Sequence, residues 1–134
     1  MFSWFDELAT GIHEIDDQHR ELLQNIACLD EATRSGNLQR SLDILSYLEG
    51  YTSNHFASEE RHMASIGYPR LAEHRSLHVA FLREFQRRRA LYEANRSLAS
   101  LTLDLSDWLS AWLLDHVRGA DADMARHLRE AARP

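Results

Sequence analysis

Six ionisable side chains interrupt the apolar stripes of four helical segments, and this constrains the chain more than any other feature of it. The first segment runs from about Ile15 to Thr33 and carries Ile12, Ile15, His19, Leu22, Ile26 and Leu29 in steps of three or four. The second, from about Leu38 to Ser65, carries Leu38, Leu42, Leu45, Leu48, Thr52, His55, Glu59, Met63 and Ile66. The third, from about Arg70 to Glu93, carries Leu71, His74, His78, Phe81, Phe85 and Tyr92. The fourth, from about Leu98 to Val117, carries Leu98, Leu101, Leu105, Trp108, Leu109, Trp112, Leu113 and His116. His19, His55, Glu59, His74, His78 and His116 therefore lie on faces that otherwise bury leucine, isoleucine and phenylalanine.

Turn signals separate the segments. Ser35-Gly36-Asn37 ends the first, Gly67-Tyr68-Pro69 the second, and Ala94-Asn95-Arg96-Ser97 the third, with Ser97 as an expected N-cap. A short helical tail is expected from about Asp121 to Arg129. No segment alternates with period two, so strands are not indicated. Long helices with short connections predict an all-α, up-down-up-down antiparallel four-helix bundle with a C-terminal helical tail. At 134 residues it is expected to be a single domain, residues 1–134, large enough to bury a core.

A buried imidazole or carboxylate without a partner costs several kcal/mol. One such intrusion is compatible with a hydrogen-bonded core histidine; six, from all four helices, call for a shared partner. A metal ion satisfies every ligand at once. His55 and Glu59 are one helical turn apart, as are His74 and His78, so each pair shares a face. Asp121 follows His116 by five residues, with Gly119 between. That step exceeds one turn, so the helix is expected to unwind or bulge there and return Asp121 to the site. Five imidazoles and two carboxylates are too many for one ion and suit two, with both carboxylates bridging. The donor set suits iron or manganese, and its histidine-rich balance favours iron.

Composition narrows the function classes. A formal charge of -6 argues against nucleic acid as a partner. No apolar run approaches the roughly 20 residues that span a bilayer, and the N-terminus has neither the basic nor the apolar region of a secretory signal. A cytoplasmic, monomeric protein without a membrane partner is expected. Its lone cysteine, Cys28, excludes an intrachain disulfide and is read as a small core residue. His13, His62 and His127 lie off the ligand register and are read as surface residues. Glu60 is read as a solvated helix residue rather than a support for a ligand. Arg87, Arg88 and Arg89 are read as a solvated face, and Trp4 and Trp108 as packing residues.

The motifs Gly-Ile-His-Glu-Ile-Asp-Asp-Gln-His (11–19), His-Phe-Ala-Ser-Glu-Glu (55–60), His-Arg-Ser-Leu-His (74–78) and His-Val-Arg-Gly-Ala-Asp (116–121) resemble those of hemerythrins, in particular single-domain bacterial hemerythrins. The resemblance spans residues 4 to about 124. It implies that His74, His78 and His116 hold one coordinatively full iron and that His19 and His55 hold a second with an open position. Glu59 and Asp121 would bridge the two irons, together with an oxo or hydroxo bridge. It further implies reversible dioxygen binding at the open iron, for carriage, storage or delivery to a protein recipient. Phe56, Leu113 and Trp112 are the expected wall of the dioxygen pocket. A sensor acting through a partner is an alternative. An enzyme acting on peroxide or nitrogen oxides is disfavoured, because no evident acid or base lies near the open iron.

Overall fold

The computed structural model describes residues 8–95 and 99–133, with side chains of the last stretch from Asp104 onward. Four long helices are present: α1 (His13–Arg34), α2 (Leu38–Ser65), α3 (Leu71–Ala94) and α4 (Ala99–His116). A five-residue π-helical turn, Val117–Asp121, joins α4 to a short helix α5 (Ala122–Ala131). Helix α1 packs on α2 and α4, and α3 packs on the same two, so the helices stand at the corners of a square. Neighbours joined by so few residues run antiparallel, and the four-helix bundle expected from the stripes is the observed fold. Among the described residues, no helix is long and apolar enough to cross a membrane. The expectations for Trp4, for Ser97 as a cap and for Leu98 at the start of a helix fall outside the described residues.

The turns are built by glycine where the sequence placed it. Gly36 (φ 72°) ends α1, with its N–H donating to the Thr33 carbonyl and that of Asn37 to Ala32. Gly67 (φ 64°) ends α2 in the same way, with Gly67 donating to Ala64 and Tyr68 to Met63. Both are Schellman ends, in which a left-handed residue turns the chain and satisfies two orphaned carbonyls. The hydrophobic contact that accompanies such an end is present too, since Met63 and Tyr68 share one apolar cluster.

Two apolar clusters fill the bundle. The larger contains Leu22, Leu23, Ile26, Leu29, Leu45, Leu48, Phe56, Phe81, Phe85, Leu105, Leu109, Leu113 and Val117. The smaller contains Ile15, Met63, Tyr68, Met124 and Leu128. Along α1, His19 falls between Ile15 and Leu22; along α2, Glu59 falls between Phe56 and Met63; after α4, Asp121 falls between Val117 and Met124. The polar residues thus form a layer between two dry ones.

The stripe expected for α2 needs correction at its N-terminal end. Leu38 is exposed and Leu42 only half-buried, whereas Ser41 is buried. The Ser41 hydroxyl donates to the Asn37 carbonyl at 2.9 Å, so it enters the core with its hydrogen bond made. Cys28 is half-buried and free rather than a core residue. Of the arginine run only Arg87 is exposed, paired with Glu84; Arg88 lies over the Trp108 ring, 4.8 Å from its centre, and Arg89 donates to Ser46 Oγ on α2 at 2.7 Å, so the expected solvated face is corrected at these two. Trp108 packs as expected, face-on to Phe81 at 5.0 Å between ring centres.

Candidate metal centre

Each of the four long helices delivers polar residues to the same level. Ligand-capable atoms of Glu59, His74, His78, His116 and Asp121 lie within 4.8 Å of one another, as do those of His19, His55, Glu59 and Asp121. All seven side chains are buried, and the two groups share only Glu59 and Asp121.

The π-helical turn is what admits Asp121. In an α-helix, five residues turn about 500°, which would point Asp121 well away from His116. The wider turn returns it to the same side, with Asp121 Oδ1 3.1 Å from His116 Nε2. The bulge expected after His116 is therefore present, but its cause is not the glycine. Gly119 has no positive φ, and a Cβ there would meet nothing within 4 Å.

The carboxylates divide their oxygens between the groups. Glu59 Oε2 lies 3.1 Å from His55 Nε2 and 3.4 Å from His19 Nε2. Glu59 Oε1 lies 3.1 Å from His78 Nε2 and 3.5 Å from His74 Nε2. Asp121 Oδ2 faces His19 Nε2 at 3.1 Å, and Asp121 Oδ1 faces His74 Nε2 at 3.1 Å.

These contacts do not satisfy the atoms that make them. Both oxygens of Glu59 and of Asp121, both nitrogens of His19, and His55 Nε2 lack a well-formed hydrogen bond. The N···O approaches are short without being well-formed hydrogen bonds. His116 Nε2 also stands 3.1 Å from His74 Nε2 and 3.2 Å from His78 Nε2. Three ring nitrogens turned toward one point repel unless a cation sits among them. Ligands held about 2.1 Å from a common ion at right angles stand about 3.0 Å apart. The donor set and its spacing therefore fit metal, and a pair of ions rather than one.

Electrostatics favour a cation as well. Burial opposes charge on His19, but the Asp121 and Glu59 carboxylates outweigh it and lift the imidazole to about 10. The same two carboxylates, again against burial, lift His74 to about 9. Burial raises the Glu59 and Asp121 carboxyls, and for Asp121 the neighbouring Glu59 charge does too; the surrounding imidazoles, foremost His55 for Glu59 and His116 for Asp121, still hold both well below the usual range. The site is thus an anionic pocket that gathers positive charge, as protons or as metal.

The surroundings orient the ligands. Gln18 Oε1 stands 2.7 Å from His55 Nδ1, and Glu60 Oε2 stands 2.9 Å from His78 Nδ1. The reading of Glu60 as a merely solvated residue is thereby overturned. The short hairpin between α2 and α3 sets Glu60 beside His78, and Arg75 holds its other oxygen at 3.1 Å. Gln18 lies within the first motif, but its task depends on the α1–α2 packing, which its own position in the sequence does not signal.

Phe56 lies face-on to His78, with ring centres 3.7 Å apart and planes 3° apart. Trp112 stacks on His116 at 4.3 Å. Trp112 thus walls the three-histidine group, and Phe56 borders both groups, its ring centre also 5.9 Å from that of His55. Leu113 is buried in the same apolar cluster as Phe56 and as Leu22 and Leu23, one turn past His19. His13 is exposed and pairs with Asp17, and His62 pairs with Glu14. His127 Nδ1 lies 3.0 Å from the Asp123 carbonyl, with its ring edge against Tyr68. None of these three belongs to the buried groups. Asp16, another residue whose role spacing does not signal, anchors the entry to α1: it accepts from the Thr10 N–H and hydroxyl at 2.8 Å each, and from the Gly11 N–H at 3.3 Å.

Comparison with known proteins places this arrangement. The family described as Hemerythrin HHE cation binding domain matches residues 10–128. A bacteriohemerythrin of Stenotrophomonas maltophilia is 34% identical, over 99% of this chain and 88% of its own length. One of Pseudomonas paraeruginosa is 33% identical, over 92% of this chain and 81% of its own. One of Clostridium acetobutylicum is 28% identical, over 92% and 98%. Matched through nearly all of its described bundle, and with all four long helices contributing to the buried cluster, the chain belongs to the hemerythrin family.

Proposed function

We propose that this protein binds dioxygen reversibly at a pair of iron ions in the bundle core, to carry, store or deliver it. The observation that carries the reading is the division of Glu59 and Asp121, each with one oxygen toward His19 and the other toward the group of His74, His78 and His116. A pair of ions, with Glu59 and Asp121 each offering one oxygen to either, would account for that division; a single ion would not. On this reading His74, His78 and His116 would hold one ion, and His19 and His55 the other with one histidine fewer. The name shared by the bacterial relatives supports the same assignment.

Iron, when bound, supplies electrons that can be lent to dioxygen and recovered, which no side chain here can do. The chain's own part is to hold, orient and dry the site. Gln18 and Glu60 fix which nitrogen of His55 and His78 carries the proton, leaving Nε2 free to bind. Phe56 and Trp112 seal the three-histidine side with flat apolar faces. Leu113, with the apolar layer around Leu22 and Leu23, keeps bulk water and its protons from the centre.

The test is a visible spectrum of the iron-loaded, reduced protein, taken before air, after air and after argon. A charge-transfer band that appears in air and vanishes under argon is the expected result. Direct passage to the diferric spectrum, with no reversible band, would overturn the reading in favour of a redox enzyme or an iron-handling protein.

A further inference from the structure

Two ligand imidazoles are held from behind by side chains of different charge. His55 Nδ1 stands 2.7 Å from the Gln18 amide oxygen, which can only accept, so Nδ1 carries a proton and donates to it, while Nε2 faces the Glu59 carboxylate. His78 Nε2 faces the other oxygen of Glu59, and its Nδ1 donates to the Glu60 carboxylate at 2.9 Å. The two supports occupy equivalent places. Gln18 reaches from α1 to a ligand on α2, and Glu60 from α2 to a ligand on α3. Each serves one histidine of one group. Glu60 is fixed by Arg75, whose Nε donates to its second oxygen at 3.1 Å.

A carboxylate that accepts an imidazole proton pushes electron density onto the ring and makes the opposite nitrogen a stronger donor; a neutral amide orients the ring with much less of this effect. A stronger donor stabilises the more highly charged metal. We propose that Glu60 and Gln18 are positioning residues that make the two iron positions electronically unequal. Glu60 lowers the reduction potential on the three-histidine side, and Gln18 leaves the open, two-histidine side more readily ferrous. The inference rests on the di-iron reading above and adds to it a device for holding the dioxygen-binding position in its reduced state. Support by hydrogen bonding alone would serve equally well with either acceptor on either side, so charge separates the two accounts.

The experiment exchanges the charges while keeping an acceptor in place. Glu60→Gln removes the charge behind His78, and Gln18→Glu introduces one behind His55. Iron per chain and midpoint potentials by anaerobic redox titration are measured for the wild type and both variants. The same proteins, zinc-loaded and labelled with nitrogen-15 at histidine, report by NMR whether Nδ1 of His55 and His78 stays protonated. Two irons per chain, a retained Nδ1 proton, a raised potential in Glu60→Gln and a lowered one in Gln18→Glu are expected. Glu60→Ala, which removes the acceptor outright, should weaken metal binding by roughly 10- to 100-fold. Unmoved potentials, or shifts of the same sign in the two exchanges, would overturn the inference alone. Should Glu60→Gln shed its iron, the direction of the shift in Gln18→Glu decides. A wild type that holds no iron pair would overturn the di-iron reading and this inference with it.

Discussion

Stripped of metal, the protein should lose stability as the solution is made alkaline, and this follows from the buried cluster itself. His19 is raised from 6.5 to about 10 and His74 to about 9, in both cases because Asp121 and Glu59 outweigh burial. A group with a raised folded-state value binds its proton more tightly when folded. The stability it contributes is complete below about pH 6.5 and disappears as pH climbs through 9 to 10. Every tenfold gain in proton affinity on folding is worth about 1.4 kcal/mol. The two imidazoles draw on the same two carboxylates, so their contributions do not simply add, and the loss is on the order of 3 to 5 kcal/mol. For a chain of this size that is a fall in Tm on the order of 10 °C. Glu59 and Asp121, both held low, contribute stability present above about pH 4.5 and lost on acidification. Metal-free protein should therefore be most stable between about pH 5 and 6.5. Metal replaces the bound protons, so the loaded protein should keep its Tm through about pH 9, and metal affinity should rise with pH. Calorimetry of both forms from about pH 5 to 10 measures this. A metal-free Tm that is flat or rising between about pH 6.5 and 9.5 would refute the picture of the pocket as a trap for positive charge.

Other perturbations address the remaining parts. Glu59→Ala takes a ligand from both groups and His74→Ala takes one from the larger, so both should purify with little iron by metal analysis, whereas His62→Ala, outside the cluster, should retain it. Gly119→Ala should keep the metal and, by removing backbone entropy in a helical turn that has space for a methyl group, raise stability by about 0.5–1 kcal/mol in thermal melts; loss of iron would mean that the turn needs its glycine. Phe56→Ala removes a buried ring from the larger apolar cluster and from the face of His78, and should cost about 3–5 kcal/mol in chemical denaturation. Asp16→Ala leaves the Thr10 and Gly11 donors without their acceptor and should cost about 1–3 kcal/mol by the same assay.

The sequence by itself determined the helices, their ends and the identity of the polar layer. These depend on spacing along one chain: apolar steps of three and four, glycines where a left-handed residue must stop a helix, and ionisable residues on a face that has no use for them unless they share a partner. The span of α2 could be read directly, and so could the need for a bulge between His116 and Asp121. Tertiary structure decided whatever depends on which helices lie side by side. Spacing along α2 does not reveal that Glu60 meets His78 on α3, or that Gln18 on α1 meets His55. It does not reveal that Phe56 and Trp112 cover the three-histidine side, or that Ser41 rather than Leu42 enters the core. Whether each carboxylate gives one oxygen to each group is likewise a matter of rotation and depth at the helix contacts. A helical repeat states which residues share a face. Only packing between helices, set by the fit of many side chains at once, states what that face meets.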